Sequence, residues 1–129
     1  PKAALKDDAL AISNAAKTLA HDQDVANIAV FTQSGKTALL MSKTRPRVPI
    51  IAFTPEPSTL SQMSLYWGVN PILVPFANSL EEMVQSVDNY LIKRKKLRVG
   101  EQVVLVSGFP VGAMRLPNLA LLHSIGEKV

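Results

Sequence analysis

The residues of this chain best suited to chemistry are Thr32-Gln33-Ser34-Gly35-Lys36-Thr37. They stand where a short apolar run hands over to a helical stretch. Such a junction directs free backbone N–H groups, and the positive end of the helix dipole, at whatever binds there. Three hydroxyls and one ammonium add donors that a phosphate accepts well. Gly35 lets the backbone approach a ligand closely. The same residues also suit an ordinary helix start, with Ser34 as the cap and Lys36 solvated. They do not form a Walker loop, because the Gly-x4-Gly-Lys spacing is missing. A second candidate is Ser107-Gly108-Phe109-Pro110-Val111-Gly112, continuing through Arg115 to Asn118. It lies at the C-terminal end of an apolar run, where open α/β sheets bind ligands. Its alternative reading is a glycine-proline turn.

The remaining polar clusters point away from catalysis. Lys93 to Arg98 holds five cations among six residues. No aromatic residues interleave with it, so a solvated helix end accounts for it better than a nucleic-acid surface does. His21 and His123 are far apart, with no carboxylate at metal-ligand spacing, so no metal site is assigned. Glu81 and Glu82 are adjacent on a helix and diverge, which is wrong for a catalytic carboxylate pair. No Ser-His-Asp or other nucleophile arrangement is present, and no catalytic residue is assigned.

The elements that must position the two loops follow from periodicity. Leu5, Ala9, Ile12, Ala16 and Leu19 share one helical face over residues 5–20. Ala26 to Phe31 is a strand buried on both faces, as in a parallel sheet. A helix through Ala38 to Met41 must stop by Arg45, because the residue before Pro46 is pushed out of the α region. Val48 to Phe53 is the second strand, with Pro49 at its start. Thr54 to Pro57 turns into a helix with proline in its first turn, carrying Leu60, Met63 and Trp67 on one face and stopping at Gly68. Pro71 to Pro75 is the third strand. Ser79 and Glu82 fit a capping box ahead of the stripe Leu80, Met83, Val84, Val87, Leu91. Gln102 to Ser107 is the fourth strand. Leu119 to Ile125 is the fifth, antiparallel because its connection is too short for a crossover helix. The expected fold is a three-layer α/β sandwich: a mixed five-stranded sheet, four strands parallel and one antiparallel, with helices on both faces.

With 129 residues, 47% hydrophobic and 19% charged, the chain is expected to form one domain over 1–129 and not to be disordered. No apolar run approaches the roughly 20 residues that span a bilayer, and the first residues lack a signal-peptide core. A cytoplasmic location is expected. The absence of cysteine removes disulfides and thiolate chemistry. A net charge of +4 suits a small anionic ligand.

Three segments together resemble the C-terminal domain of pyruvate kinase. They are Phe31 to Ala38 followed by Arg45-Pro46-Arg47-Val48-Pro49-Ile50-Ile51-Ala52-Phe53-Thr54, then Leu65 to Leu73, then Gly100 to Gly108. Their order and spacing match across nearly the whole chain. In that family a Thr-x-Ser-Gly-basic-hydroxyl loop follows a strand, and an Arg-Pro-x-x-Pro-Ile-Ile-Ala strand comes next. The resemblance implies an enzyme that transfers phosphate from phosphoenolpyruvate to ADP, with magnesium and potassium, in a (β/α)8 barrel. A barrel of roughly 250 residues does not fit here, so the chain by itself is expected to show no phosphotransfer activity and to need no cofactor.

The resemblance further implies a regulatory domain that binds a phosphorylated sugar, contacts the catalytic barrel and helps to form a tetramer. Thr32, Gln33, Ser34, Gly35, Lys36 and Thr37 match the family's effector-phosphate loop, with Lys36 where arginine is common. That exchange keeps the charge and loses the bidentate fork. Two departures bear on the ligand. Apolar Met83 stands where bisphosphate-binding members carry a cation, and Arg115-Leu116-Pro117-Asn118 replaces a stretch ending in Thr-Asn. A sugar monophosphate is therefore expected at the Thr32–Thr37 loop. Its far end would meet the second loop, with Ser107, Gly108, Phe109, Gly112 and Arg115 as its candidate residues. Two rivals remain: a free-standing protein of the same fold for another phosphorylated ligand, and a basic nucleic-acid-binding module.

Overall fold

A computed structural model describes residues 8–108 and 116–128. The elements are α1 (Asp8–Asp22), β1 (Ile28–Phe31), α2 (Lys36–Lys43), β2 (Ile50–Thr54), α3 (Pro57–Met63), β3 (Val69–Leu73), α4 (Leu80–Lys95), β4 (Gln102–Ser107) and β5 (Leu119–Ser124). They build one five-stranded sheet in the order β3-β2-β1-β4-β5. The first four strands are parallel, and β5 runs antiparallel to β4. The three-layer α/β sandwich expected from the periodicity is the fold observed.

Alternation along the central strands divides the core in two. Ala29, Phe31, Ile51, Phe53, Val103 and Leu105 face α4, which contributes Met83, Val84, Val87 and Leu91. Ile28, Val30, Ile50, Ala52, Val104 and Val106 face the other way. There they meet Ala16 and Ala20 of α1, Ala38 and Met41 of α2, and Met63 of α3. Burial on both faces is why these strands read as unbroken apolar runs.

Helix ends obey local chemistry. The Ser79 hydroxyl accepts the Glu82 N–H at 3.1 Å, as a capping box requires. The Glu82 carboxylate reaches back to the N–H of Asn78, at 2.8 Å, one residue earlier than the usual partner. Pro57 opens α3 at its first position. Arg45, ahead of Pro46, has φ 51° and so lies outside the right-handed helical region.

The largest departures from the expected boundaries lie between α3 and β3, while β1 and β2 begin two residues later than expected, at Ile28 and Ile50, which leaves Pro49 just ahead of its strand. α3 ends at Met63, so Trp67 is not on its apolar face. Bonds from Leu65 N–H to Gln62 O and from Tyr66 N–H to Met63 O tighten the chain into a turn there. Trp67 stands in the following turn, half exposed, with the Arg45 guanidinium 4.5 Å from its ring centre. Gly68, at φ 71°, serves the entry to β3 and does not cap the helix. β3 begins at Val69, which places Pro71 inside a strand. The sheet tolerates it because β3 is an edge and its outer side needs no donor.

Candidate functional site

The loop between β1 and α2 is held by bonds from three directions. The Thr32 N–H donates to Phe53 O at 3.0 Å, which carries the β1–β2 pairing one residue past the strand. The Thr32 hydroxyl oxygen accepts the Gly35 N–H at 2.9 Å, and the Ser34 hydroxyl oxygen accepts the Lys36 N–H at 3.3 Å. From α3, the Thr59 hydroxyl donates to Gln33 O at 2.6 Å. Gly35 adopts φ 88°, ψ −7°, a left-handed conformation that favours glycine. A Cβ there would lie 3.3 Å from Thr59 Cγ2 and 3.4 Å from Met63 Cγ, so the backbone leans directly on α3.

This geometry corrects the ordinary-cap reading of Ser34. The N-cap of α2 is Gly35, which has no side chain to cap with. Ser34 instead closes a tight turn onto Lys36. The first helical bond is Leu39 N–H to Gly35 O. The N–H groups of Ser34, Thr37 and Ala38 therefore take no hydrogen-bond partner among the described residues. Thr32 and Thr37 are buried, Ser34 and Lys36 are exposed, and Lys36 joins no ion pair among the described residues. Unpartnered N–H groups at a positive helix end, beside a lysine, are donors of the kind an anion accepts.

The second loop begins at the same sheet edge. β4 runs parallel to β1 with Ser107 level with Phe31, so Ser107 and Gly108 emerge beside Thr32. Ser107 is buried; its hydroxyl donates to Gly108 O at 2.9 Å, and its carbonyl accepts the Asn118 N–H at 3.1 Å. Both groups of Ser107 thus hold the base of the loop together. Phe109, Gly112 and Arg115 lie outside the described residues.

Thr59 is the residue of this region that sequence reasoning passed over. A signal was available: it is a hydroxyl in the first turn of the helix after the neighbouring parallel strand, which must open at the same edge. The two histidines also find partners. His21 Nε2 accepts the Arg47 N–H at 3.1 Å. His123 Nε2 lies 2.8 Å from Asp88 Oδ1 inside the protein, a pairing across 35 positions of sequence. Among the described residues, no three His, Cys, Asp or Glu side chains gather to hold a metal. Lys93, Arg94 and Lys95 form the exposed last turn of α4, with Lys96 as its left-handed cap. Among the described residues no helix is long and apolar enough to cross a membrane.

Residues 10–123 match the family model described as pyruvate kinase, alpha/beta domain. The chain belongs to the pyruvate kinase family. The pyruvate kinase of Mycobacterium tuberculosis is 34% identical over 116 residues, which is 90% of this chain and 25% of that protein. The pyruvate kinase of Sporosarcina psychrophila is 35% identical over 117 residues, covering 91% of this chain and 20% of that protein. The chain thus spans about a quarter or less of the length of these pyruvate kinases. A crystal structure of a pyruvate kinase from Cryptosporidium parvum superposes with a TM-score of 0.82 over 93% of this chain and 23% of the other, at 24% identity. That likeness concerns the fold. The match to the pyruvate kinase domain runs through both β1–α2 and β4–β5, so both candidate loops, and α3 beneath the first, lie within it.

Proposed function

We propose that this chain is the regulatory domain of a pyruvate kinase and binds a sugar phosphate effector at the Thr32–Thr37 loop. The observation that carries the reading is the set of unpartnered N–H groups on Ser34, Thr37 and Ala38 beside the exposed Lys36. In the whole enzyme, a barrel outside this chain would transfer phosphate from phosphoenolpyruvate to ADP. Magnesium and potassium would act there. This chain by itself would carry out no phosphotransfer, because the barrel that would position phosphoenolpyruvate and the metal ions lies outside it. The domain's part would be to bind the effector and to contribute contacts within a homo-oligomer.

One phosphate is favoured over two. The long helix offers no cation in its opening turn: Glu81 and Glu82 are exposed, and Met83 is packed in the core. A second phosphate beside those carboxylates would be repelled. The far end of a monophosphate instead presents hydroxyls. Titration calorimetry is expected to show glucose 6-phosphate or ribose 5-phosphate binding at least as tightly as fructose 1,6-bisphosphate. Charge-assisted contacts contribute about 1.5–3 kcal/mol each, so Lys36→Ala should weaken sugar-phosphate binding tenfold or more. Unchanged affinity in Lys36→Ala would remove the loop from the site. A clear preference for the bisphosphate, lost in Arg115→Ala, would show that Arg115 holds a second phosphate.

A further inference from the structure

We propose that Thr59 is a positioning residue for the anion loop: by holding the Gln33 carbonyl, it aims the Ser34 N–H at the ligand's phosphate. The inference rests on the phosphate reading of that loop. Its basis is the short bond from the Thr59 hydroxyl to Gln33 O, 2.6 Å, made from a buried site on α3. A trans peptide unit is planar, and its C=O and N–H point in opposite directions. Gln33 C=O and Ser34 N–H belong to one such unit. Drawing the carbonyl onto α3 therefore turns the Ser34 N–H away from α3, and that N–H takes no partner among the described residues.

The methyl group of Thr59 acts on the next unit along. Thr59 Cγ2 is the atom closest to where a Gly35 Cβ would stand, at 3.3 Å. A β-branched side chain has little freedom about χ1. Its hydroxyl and methyl are therefore placed together, one under Gln33 and the other under Gly35. α3 thus sets the orientation of a loop that belongs to β1 and α2. The Gly35 N–H is already taken by the Thr32 hydroxyl, so the peptide at Gln33–Ser34 is the part of the turn whose direction depends on Thr59.

Two substitutions separate the two contacts. Thr59→Val keeps the shape and loses the hydroxyl; Thr59→Ser keeps the hydroxyl and loses the methyl. The probe is glucose 6-phosphate titrated into the 129-residue chain. Calorimetry gives the affinity, and amide resonances of residues 32–38 are followed by NMR well below each variant's melting temperature. Thr59→Val is expected to bind about tenfold more weakly, the loss of one well-placed donor. In that variant the Ser34 amide should no longer shift, while those of Thr37 and Ala38 still do. Thr59→Ser should restore the Ser34 shift and most of the affinity, short of what the methyl contributes at Gly35, whereas a merely structural loss of packing would restore neither. Wild-type affinity in Thr59→Val, or a Ser34 amide unmoved in the wild-type chain while Thr37 and Ala38 move, would overturn the role of Thr59. If no amide of residues 32–38 moves in the wild-type chain, the phosphate reading of the loop fails instead.

Discussion

Asp88→Ala is expected to lower the stability of the domain by about 3 kcal/mol and its melting temperature by about 10 °C. Asp88 lies at the inner side of α4, 8% exposed, and its carboxylate accepts two hydrogen bonds. One comes from His123 Nε2 of β5 at 2.8 Å and the other from the Gly126 N–H at 3.0 Å. A carboxylate only accepts, so His123 carries a proton on Nε2. Its other nitrogen, Nδ1, has no partner among the described residues. His123 is 1% exposed and cannot turn to water for a replacement. Removing the carboxylate therefore leaves a buried imidazole N–H and a backbone N–H without acceptors, and each then bears its desolvation penalty uncompensated. The pair also joins the edge strand β5 to α4 across the end of the chain, so its loss should free β5 first. Asp88→Asn retains one acceptor oxygen and should recover only part of the stability, because its amide donor faces one of the two N–H groups. Urea unfolding followed by circular dichroism measures both. A loss below about 1 kcal/mol in Asp88→Ala would mean that water or a rearranged carbonyl replaces the carboxylate.

Phe53→Ala is expected to cost about 4 kcal/mol, in the range for deleting a buried aromatic ring. Phe53 is fully buried on β2 and meets Tyr90 of α4 edge to face, with ring centres 5.5 Å apart and planes at 84°. The substitution removes that contact and leaves a cavity that rigid neighbours on two layers close poorly. Phe53 is also the residue whose carbonyl receives the Thr32 N–H. A shift of β2 into the cavity would therefore loosen the Thr32–Thr37 loop. Phe53→Leu should cost about 1.5 kcal/mol or less, since most of the volume stays. Chemical unfolding and glucose 6-phosphate calorimetry on the same samples would show both effects. Equal stability of the alanine and leucine variants would mean that the site collapses fully around the smaller side chain.

Local chemistry in the sequence determined the elements and their order. Three strands buried on both faces must read as short apolar runs, and Ile28–Phe31, Ile50–Thr54 and Gln102–Ser107 do. Ser79 with Glu82 marked the start of α4, and Pro57 the start of α3, because caps and prolines act through residues three or four positions away. The Thr32–Thr37 loop was legible for the same reason: hydroxyls, glycine and lysine lie together at a strand-to-helix boundary. Where interactions reach across the chain, the sequence was silent. α3 stops at Met63 because the turn beyond it closes on itself, and the Ser42 hydroxyl then anchors that turn at Trp67 O from 25 positions away. Thr59 meets Gln33 across 26 positions, and His123 meets Asp88 across 35. Such contacts leave no periodic trace, because the partners are brought together only when β2 pairs with β1 and when α4 and β5 pack at one end of the sheet. The sequence alone thus specified a loop of hydroxyls, glycine and lysine at a strand-to-helix junction, and only the packing of α3 against it brought the Thr59 hydroxyl to the Gln33 carbonyl.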